Sequence, residues 1–363
     1  MMIKNTNVKR LFAFFLICIL YCANYALACS RVVYLGEDSV VITGRSMDWA
    51  EDIKTNLWIF PRGIQRNGLG GTNTIEWISK YGSVIASAYD IASSDGMNEK
   101  GLVGNMLYLA ESDYGKNDGR PVMSLSIWMQ YVLDNFATVS EAVKELKKEK
   151  FRIANPDLPN GKKSTIHLSI SDRSGDSAIF EYIDGKLVIH HGRQYQIMTN
   201  SPIFEKQLAL NEYWKNIGGT VFLPGTNRAA DRFARASFLN NAIPKTTDNR
   251  YISAVPNQNF LNQALFSTLG IMRSVGVPLG ITTPGEPNIS STLWRTVSDH
   301  KNLIYYYDSA TSPNIFWVDL KKINFSKGAP VKKLDLLGGK IYSGNTSDSF
   351  IESQPFDFYP ANK

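Results

Sequence analysis

A cysteine at position 29 could carry two catalytic groups on one residue. The preceding Ala26-Leu27-Ala28 places small residues at the two positions that a signal peptidase inspects. Cleavage after Ala28 would leave Cys29 as the first residue, with a thiol nucleophile and a free α-amino group as its base. Because the unperturbed pKa of an α-amino group is ~7.7–8.0, an uncharged fraction is present near neutral pH. We therefore expect the cleavage site to be the activation site as well.

Residues 1–28 have the composition of an export signal. A basic start precedes an apolar run, Leu11–Ala23, which is shorter than the ~20 residues of a membrane-spanning helix. We expect an exported chain, periplasmic or secreted, without stable membrane insertion once this signal peptide is removed. Two alternatives stay open. Acylation of Cys29 would make the chain a lipid-anchored, non-catalytic binding protein, or Cys29 is simply a small buried residue.

Charge and cysteine content narrow the function classes. Three basic residues and no acidic ones lie in the predicted signal, so its removal lowers the net charge from +6 to +3. This weak basicity gives little support for nucleic-acid binding. Cys18 and Cys22 leave with the signal, so Cys29 stays as a single thiol without a partner for an internal disulfide. This favours a reactive thiol.

Other catalytic chemistries lack their motifs. The sequence contains neither a G-x-S-x-G nucleophile elbow nor a phosphate-binding loop. Two of its four histidines, His190 and His191, are adjacent in a predicted strand, point to opposite faces and cannot share one metal ion. We expect neither a metal nor a cofactor. A papain-like peptidase would need a separate base for its thiol, for which His167 is the candidate.

Charged residues follow Cys29 at a spacing that a hairpin would bring back to it. Two predicted strands flank the turn Gly36-Glu37-Asp38, and antiparallel pairing returns Arg45 and Asp48 to the side of Cys29. Arg45 would favour the thiolate there. Asp48 would orient the amine. A surface ion pair between Arg45 and Asp48 is the alternative.

The elements that must position these residues occur in separate runs of strands and helices. Such segregation favours an α+β fold over alternating βαβ units, with two stacked sheets between helix layers. No repeat or linker divides residues 29–363, so we expect one domain. The predicted strands are Arg31–Leu35, Val40–Arg45, Asn56–Pro61, Ser83–Tyr89, Leu102–Leu109, Ile166–Ile170, Ala178–Ile183, Leu187–His191, Tyr195–Thr199, Thr292–Val297, Asn302–Tyr307 and Ile315–Asp319. The predicted helices are Ser124–Phe136, Phe204–Ile217, Ala229–Asn241 and Asn259–Val275, with a further helix after a capping box at Thr138, on which Val139, Val143 and Leu146 fall at helical spacing.

Five ordered motifs resemble those of one family. The run from Gly44 to Trp49 after a processed cysteine resembles the choloylglycine hydrolase family, which includes conjugated bile acid hydrolases and penicillin V acylases. The resemblance covers most of the chain after the signal. The further motifs stand in the family's order at Asp95–Leu102, Met106–Tyr108, Met198–Pro202 and Leu223–Phe233.

The resemblance implies an N-terminal nucleophile hydrolase with a four-layer αββα sandwich that acts on linear amides. Cys29 would attack the substrate carbonyl, its α-amine would accept the thiol proton, and an acyl-thioester would form. The side chain of Asn200 and the backbone N–H of Tyr108 would donate to the oxyanion. Such a donor stabilises the transition state by ~3 kcal/mol.

The resemblance also assigns supporting roles. Arg45 and Arg232 would hold the thiol in its reactive form, and Asp48 would position the amine. Structural alternatives remain for several site residues. Asn200 could cap the following helix, Arg232 could lie on a helix surface, and Tyr108 could belong to the core.

Aromatic residues bear on the substrate. Tyr108 resembles the residue that penicillin V acylases carry where many bile acid hydrolases carry Asn. This favours penicillin V or N-acyl homoserine lactones over conjugated bile acids. Trp49 and Tyr108 are the predicted substrate-binding residues, and Trp58 and Trp77 are further candidate walls for an apolar acyl group, with a core role as the alternative. The stretch from Asn200 to Arg232 is short beside Gram-positive members that assemble as tetramers, so a homo-oligomer is only one possible state.

Overall fold

The helices and strands follow the predicted order in a computed structural model that describes residues 29–155, 164–281 and 290–361. The predicted signal peptide, residues 1–28, lies outside the described residues. Within the described ranges, no helix combines the length and apolar character needed to cross a membrane. The five helices found there are α1 (Leu125–Asn135), α2 (Val139–Leu146), α3 (Phe204–Ile217), α4 (Ala229–Ala242) and α5 (Phe260–Ser274).

The strands extend through all three described ranges. They are β1 (Cys29–Leu35), β2 (Val41–Trp49), β3 (Leu57–Phe60), β4 (Gln65–Asn67), β5 (Glu76–Ile78), β6 (Ser83–Ala88), β7 (Ala92–Asn98), β8 (Val103–Tyr108), β9 (Val122–Ser124), β10 (Arg152–Ala154), β11 (Ile166–Ser171), β12 (Ser177–Ile183), β13 (Lys186–His191), β14 (Ile197–Met198), β15 (Ser291–Asp299), β16 (Ile304–Ser309), β17 (Ile315–Asp319), β18 (Lys332–Leu334), β19 (Gly344–Asn345) and β20 (Ile351–Glu352).

Two large sheets stack between two helix layers. One sheet has the strand order β14-β1-β2-β15-β16-β17-β19, and the other has β13-β12-β11-β8-β7-β6-β3-β18-β20. Helices α4 and α5 cover the first sheet, with α3 against α4, whereas α1 and α2 cover the second. Buried apolar clusters fill the spaces between successive layers. The predicted α+β, four-layer αββα sandwich is therefore confirmed.

The β1–β2 hairpin positions Cys29. Both strands are longer than predicted, because β1 begins at Cys29 and β2 continues to Trp49. Antiparallel pairing places Cys29 opposite Met47 and Arg31 opposite Arg45. Since β15 pairs with the other edge of β2, the end of this hairpin lies inside the sheet.

Strand β7 was not predicted, although it lies in the middle of the nine-stranded sheet. Its residues Ser93, Ser94, Asp95 and Gly96 have low β propensity, so the local pattern indicates no strand there. Hydrogen bonds to β6 on one side and β8 on the other stabilise the strand despite this low propensity. Conversely, the predicted strand Tyr195–Thr199 is ordered as a strand only at Ile197–Met198.

Candidate active site

Cys29 lies in a buried site at the start of β1. Its Sγ is 3.8 Å from Nη2 of Arg45 and 3.7 Å from the carbonyl oxygen of Asp48. All three residues are almost completely buried. The hairpin register accounts for these contacts. Cys29 pairs with Met47, and Arg45 and Asp48 lie within two residues of Met47 on β2. The structure therefore brings the thiol, a cation and a carboxylate together.

Burial and charge act on the thiol in opposite directions. Loss of water disfavours the thiolate and raises the pKa of Cys29, and this effect exceeds the lowering by the Arg45 guanidinium. Arg45 is held by the carbonyl of Met106, 2.9 Å from Nη2, and by the Trp294 ring, whose centre is 4.6 Å away. Arg45 thus acts on the pKa of Cys29 in the predicted direction, but burial outweighs it and favours the protonated thiol.

The nitrogen of Cys29 has its own partner. It donates to Oδ1 of Asn200 at 2.6 Å, and Nη2 of Arg232 donates to the same oxygen at 2.7 Å. Nη1 of Arg232 also donates to the carbonyl oxygen of Cys29 at 2.6 Å. Two donors on one amide oxygen fix which way the Asn200 amide faces. The main chain of Cys29 is therefore clamped by residues from far along the sequence.

Two residues make contacts that the resemblance did not imply. Arg232 binds the main chain of Cys29 and the hydroxyl of Ser30, and its charge also lowers the pKa of the Cys29 thiol. Its planar fork of donors suits neighbouring oxygen acceptors better than a single sulfur. The Asp48 carboxylate accepts from Oγ1 of Thr292 at 2.6 Å, and the partner of the Cys29 nitrogen is Asn200. Burial raises the pKa of Asp48, against a lowering by Arg232.

Asn200 and Tyr108, the two predicted oxyanion donors, are in direct contact. Nδ2 of Asn200 donates to the carbonyl oxygen of Tyr108 at 2.7 Å. An amide nitrogen carries two hydrogens, so this bond uses one and leaves one. Asn200 follows β14 of one sheet and Tyr108 ends β8 of the other, so the site lies between the two sheets. The N–H of Phe204 at the start of α3 is accepted by Glu181, so Asn200 does not serve as that helix cap.

The predicted aromatic residues separate into two groups. Trp49 and Tyr108 meet edge to face, with ring centres 6.5 Å apart, and Trp49 borders a cavity of about 750 Å³. Trp294, which lies under Arg45, lines the same cavity. In contrast, Trp58 and Trp77 pack in the cluster between the nine-stranded sheet and α1. The core alternative is confirmed for these two.

His167 is not placed to activate the thiol. Nδ1 lies 2.9 Å from Oε1 of Glu181, and Nε2 lies 2.9 Å from the carbonyl oxygen of Thr199. Both ring nitrogens are therefore occupied away from the Cys29 sulfur. The papain-like alternative thus lacks its base. Across the three described ranges, no three side chains of His, Cys, Asp or Glu gather as a metal site.

Sequence reasoning missed the residues on β15 and β7 that support the site. Thr292 binds the Asp48 carboxylate, and the Trp294 ring lies against Arg45. Asp95 accepts from Oη of Tyr305 at 2.5 Å, and Arg45 lowers its pKa against a larger rise caused by burial. The strand around Thr292 was predicted, but no local pattern indicates which strand it pairs with.

Comparison with known proteins matches residues 29–337 to the family model "Linear amide C-N hydrolases, choloylglycine hydrolase family". A penicillin V acylase of Pectobacterium atrosepticum is 53% identical over 350 residues, which cover 92% of each chain. The solved structure of penicillin V acylase from Agrobacterium tumefaciens is 55% identical, with a TM-score of 0.82, and the match covers 92% of this chain and 100% of that one. A bile salt hydrolase/transferase of Clostridium perfringens is 27% identical over 323 residues, covering 82% of this chain and 93% of that protein.

Proposed function

Because the chain belongs to the choloylglycine hydrolase family of linear amide C-N hydrolases, we propose that it cleaves acyl amides with Cys29 as an N-terminal nucleophile. One observation carries the proposal. The sulfur of Cys29 lies beside Arg45, and the nitrogen of the same residue is bound by Asn200. A thiol and an amine on one residue, each with a buried partner, form a nucleophile and its base.

The proposal includes removal of residues 1–28 during export to the periplasm or the medium. Cleavage after Ala28 would convert the nitrogen of Cys29 from a peptide nitrogen into an α-amine, in the place where Asn200 already accepts from it. The family match begins at Cys29, in agreement with a functional chain that starts there.

Acylation begins with attack of the Cys29 sulfur on the substrate carbonyl carbon. As the S–C bond forms, the thiol proton moves to the α-amine, directly or through a water molecule. Negative charge develops on the carbonyl oxygen, and the second N–H of Asn200 and the backbone N–H of Tyr108 donate to it. Since burial keeps the thiol protonated at rest, proton removal accompanies attack.

Collapse of this intermediate breaks the C–N bond. The α-ammonium group returns its proton to the leaving amine nitrogen, and the acyl group stays on sulfur as a thioester. A water molecule then attacks the thioester carbonyl and gives a proton to the α-amine. The S–C bond breaks, sulfur regains the proton, and the carboxylic acid leaves. Arg232 holds the main chain of Cys29 throughout by its bond to the carbonyl oxygen.

We propose penicillin V as the first substrate to test, with N-acyl homoserine lactones and conjugated bile acids after it. Two penicillin V acylases are 53% and 55% identical to this chain, whereas the bile salt hydrolase/transferase is 27% identical. Trp49 and Tyr108 form an aromatic corner beside the site that suits an aromatic acyl group. A homo-oligomeric state stays a prediction.

The test of the mechanism replaces the nucleophile. Cys29→Ala and Cys29→Ser should fold like wild type but release no acid, or at least roughly a thousandfold less, from penicillin V. Ser93→Ala is the matched control, because it also changes one atom of a small buried strand residue, but on β7 in the other sheet, and its turnover should equal that of wild type. Unchanged turnover in both Cys29 variants would show that another residue performs the attack.

N-terminal sequencing and intact mass of the exported protein test the processing. A free amine on Cys29 is expected. Because its family consists of linear amide hydrolases, the chain is an enzyme, and the alternative of a non-catalytic binding protein is wrong. The open question for this experiment is whether Cys29 is lipidated. A lipid-bearing N-terminus would refute the proposed base, since acylation removes the basic amine.

A further inference from the structure

We propose that His167 and Glu181 are positioning residues that hold Asn200 against Cys29. This proposal rests on the proposed function, because it assigns a part to the same site. Neither side chain touches the reacting atoms. They act through the main chain on both sides of Asn200, at Thr199 and at Phe204.

His167 fixes the residue before Asn200. It lies on β11 and is almost completely buried, with Nε2 2.9 Å from the carbonyl oxygen of Thr199. A carbonyl oxygen only accepts, so Nε2 carries a hydrogen and donates it. Nδ1 lies 2.9 Å from Oε1 of Glu181, which fixes the ring orientation. The histidine therefore joins Glu181 on β12 to the segment that carries Asn200.

Glu181 fixes the residues after Asn200. Its Oε1 and Oε2 accept the backbone N–H of Phe204 at 3.2 and 3.1 Å. Phe204 is the first residue of α3, and the residue at the N-cap position, Ile203, makes no capping bond with its side chain. A carboxylate at this end satisfies a free N–H and lies at the positive end of the helix dipole. Glu181 is thus the cap of α3, supplied by a strand.

Gln207 completes the support from within α3. Its Nε2 donates to the carbonyl oxygen of Asn200 at 2.9 Å. The main chain is therefore bound at Thr199, Asn200 and Phe204 by three buried side chains. From this support the Asn200 side chain reaches the nitrogen of Cys29 at 2.6 Å and the carbonyl oxygen of Tyr108 at 2.7 Å.

This arrangement predicts a specific kinetic signature. Loss of these bonds would let Asn200 move by a fraction of an ångström. Its side chain would then be misplaced both as a donor to the oxyanion and as the acceptor for the nitrogen of Cys29. Such misplacement lowers kcat by roughly tenfold to a hundredfold. Because the His167 side chain bonds Glu181 and Thr199 and neither residue of the aromatic corner, KM should change much less than kcat, by about twofold or less.

His300 offers a matched control. Like His167, it is buried and uses both ring nitrogens, with Nδ1 2.7 Å from the carbonyl oxygen of Gly101 and Nε2 2.8 Å from Oγ1 of Thr43. Thr43 lies opposite Val33, four residues along β1 from Cys29. His167→Leu and His300→Leu should both lower the melting temperature, whereas only His167→Leu should lower kcat at nearly constant KM.

Conservative variants separate hydrogen bonding from charge. Glu181→Gln can still accept from Phe204 and can donate to Nδ1 of His167, so kcat should stay within about threefold of wild type. Glu181→Leu loses both bonds and should resemble His167→Leu. If His167→Leu does not fold, His167→Gln replaces it, because it keeps a donor for Thr199 and loses the bond to Glu181. A kcat between wild type and Glu181→Leu is then expected.

Hydrogen exchange gives a readout without substrate. In His167→Leu, the backbone N–H groups of Thr199, Asn200, Ser201, Ile203 and Phe204 should exchange faster than in wild type, and in His300→Leu they should not. If wild type cleaves none of the amides tested, the proposed function fails. Hydrogen exchange would still test whether His167 and Glu181 hold the main chain around Asn200. Equal kcat losses in His167→Leu and His300→Leu, or unchanged exchange of this segment, would overturn the positioning role.

Discussion

At the scale of single residues, the environment of Cys29 favours the protonated thiol over the thiolate. Burial raises its pKa more than the Arg45 guanidinium lowers it. An enzyme that kept a permanent thiolate would need a stronger local positive charge. In the proposed mechanism, the amine on the same residue removes that need, and Arg45 stabilises the sulfur as it becomes more negative.

Arg45→Met tests this electrostatic role. Removing a cation 3.8 Å from Sγ disfavours the thiolate, so the pH midpoint for alkylation of Cys29 by iodoacetamide should rise, by roughly one to three units. Turnover should fall with it. Arg45→Lys should shift the midpoint less, because it keeps the charge.

Arg66→Met is the matched control, since the buried Arg66 side chain on β4 pairs with Asp134 of α1 and, like Arg45, lies over an aromatic ring, that of Phe60. Its alkylation midpoint should equal that of wild type. A midpoint unchanged in Arg45→Met would show that Arg45 acts on structure and not on the thiol.

At the scale of elements, β2 carries much of the site. Arg45, Asp48 and Trp49 lie on it, and Gly44 allows helix α5 to pack closely against its other face. A Cβ at Gly44 would lie 2.6 Å from Cγ of Met272, a buried residue of α5. Close packing of helix on strand thus requires glycine at this position.

Gly44→Val should therefore destabilise the fold, by about 1–3 kcal/mol, through overpacking against Met272 and Thr268. Gly270→Ala is the paired control, because Gly270 lies within α5 and its Cβ would meet no atom within 4 Å. Removing a helical glycine there should stabilise by about 0.5–1 kcal/mol. Urea unfolding measures both changes. Equal free energies of unfolding for Gly44→Val and wild type would contradict the prediction and show that α5 can shift to accommodate the larger side chain.

At the scale of the whole molecule, buried hydrogen bonds between polar residues connect the two sheets, in addition to apolar packing. Asp95 of the nine-stranded sheet accepts from Thr296 and Tyr305 of the seven-stranded sheet. His300 also joins the two, through Thr43 of β2 and the carbonyl oxygen of Gly101. Burial lowers the pKa of His300 to about 4, a shift that the hydrogen bond to Gly101 and the charge of Asp172 only partly oppose.

This shift predicts a loss of stability in acid. The unfolded chain binds a proton at His300 near pH 6.5, whereas the folded chain binds it only near pH 4. The contribution of His300 to the free energy of unfolding is complete above about pH 6.5. It decreases as the pH falls, and the loss amounts to about 3 kcal/mol by pH 4. Urea unfolding of wild type and His300→Leu across this range isolates it. Parallel pH curves for the two proteins would contradict the prediction.

Local patterns were sufficient for much of the fold and for part of the site. The hairpin that returns Arg45 to Cys29 needs only a turn and two strands, and helix α3 was predicted at its observed bounds. The family resemblance is also confirmed by comparison. Strand β7 was missed, because Ser93–Gly96 forms a strand only through pairing on both sides.

By itself, the sequence determined the element order, the reactive thiol as the leading candidate and the charges that a hairpin brings beside it. Only the tertiary structure decided that Asn200 binds the nitrogen of Cys29, that Arg232 clamps its main chain and that Thr292 binds Asp48. These partners are 171 to 244 residues apart. Periodicity and turn chemistry act over a few residues, whereas contacts at this separation depend on how the sheets pair and stack.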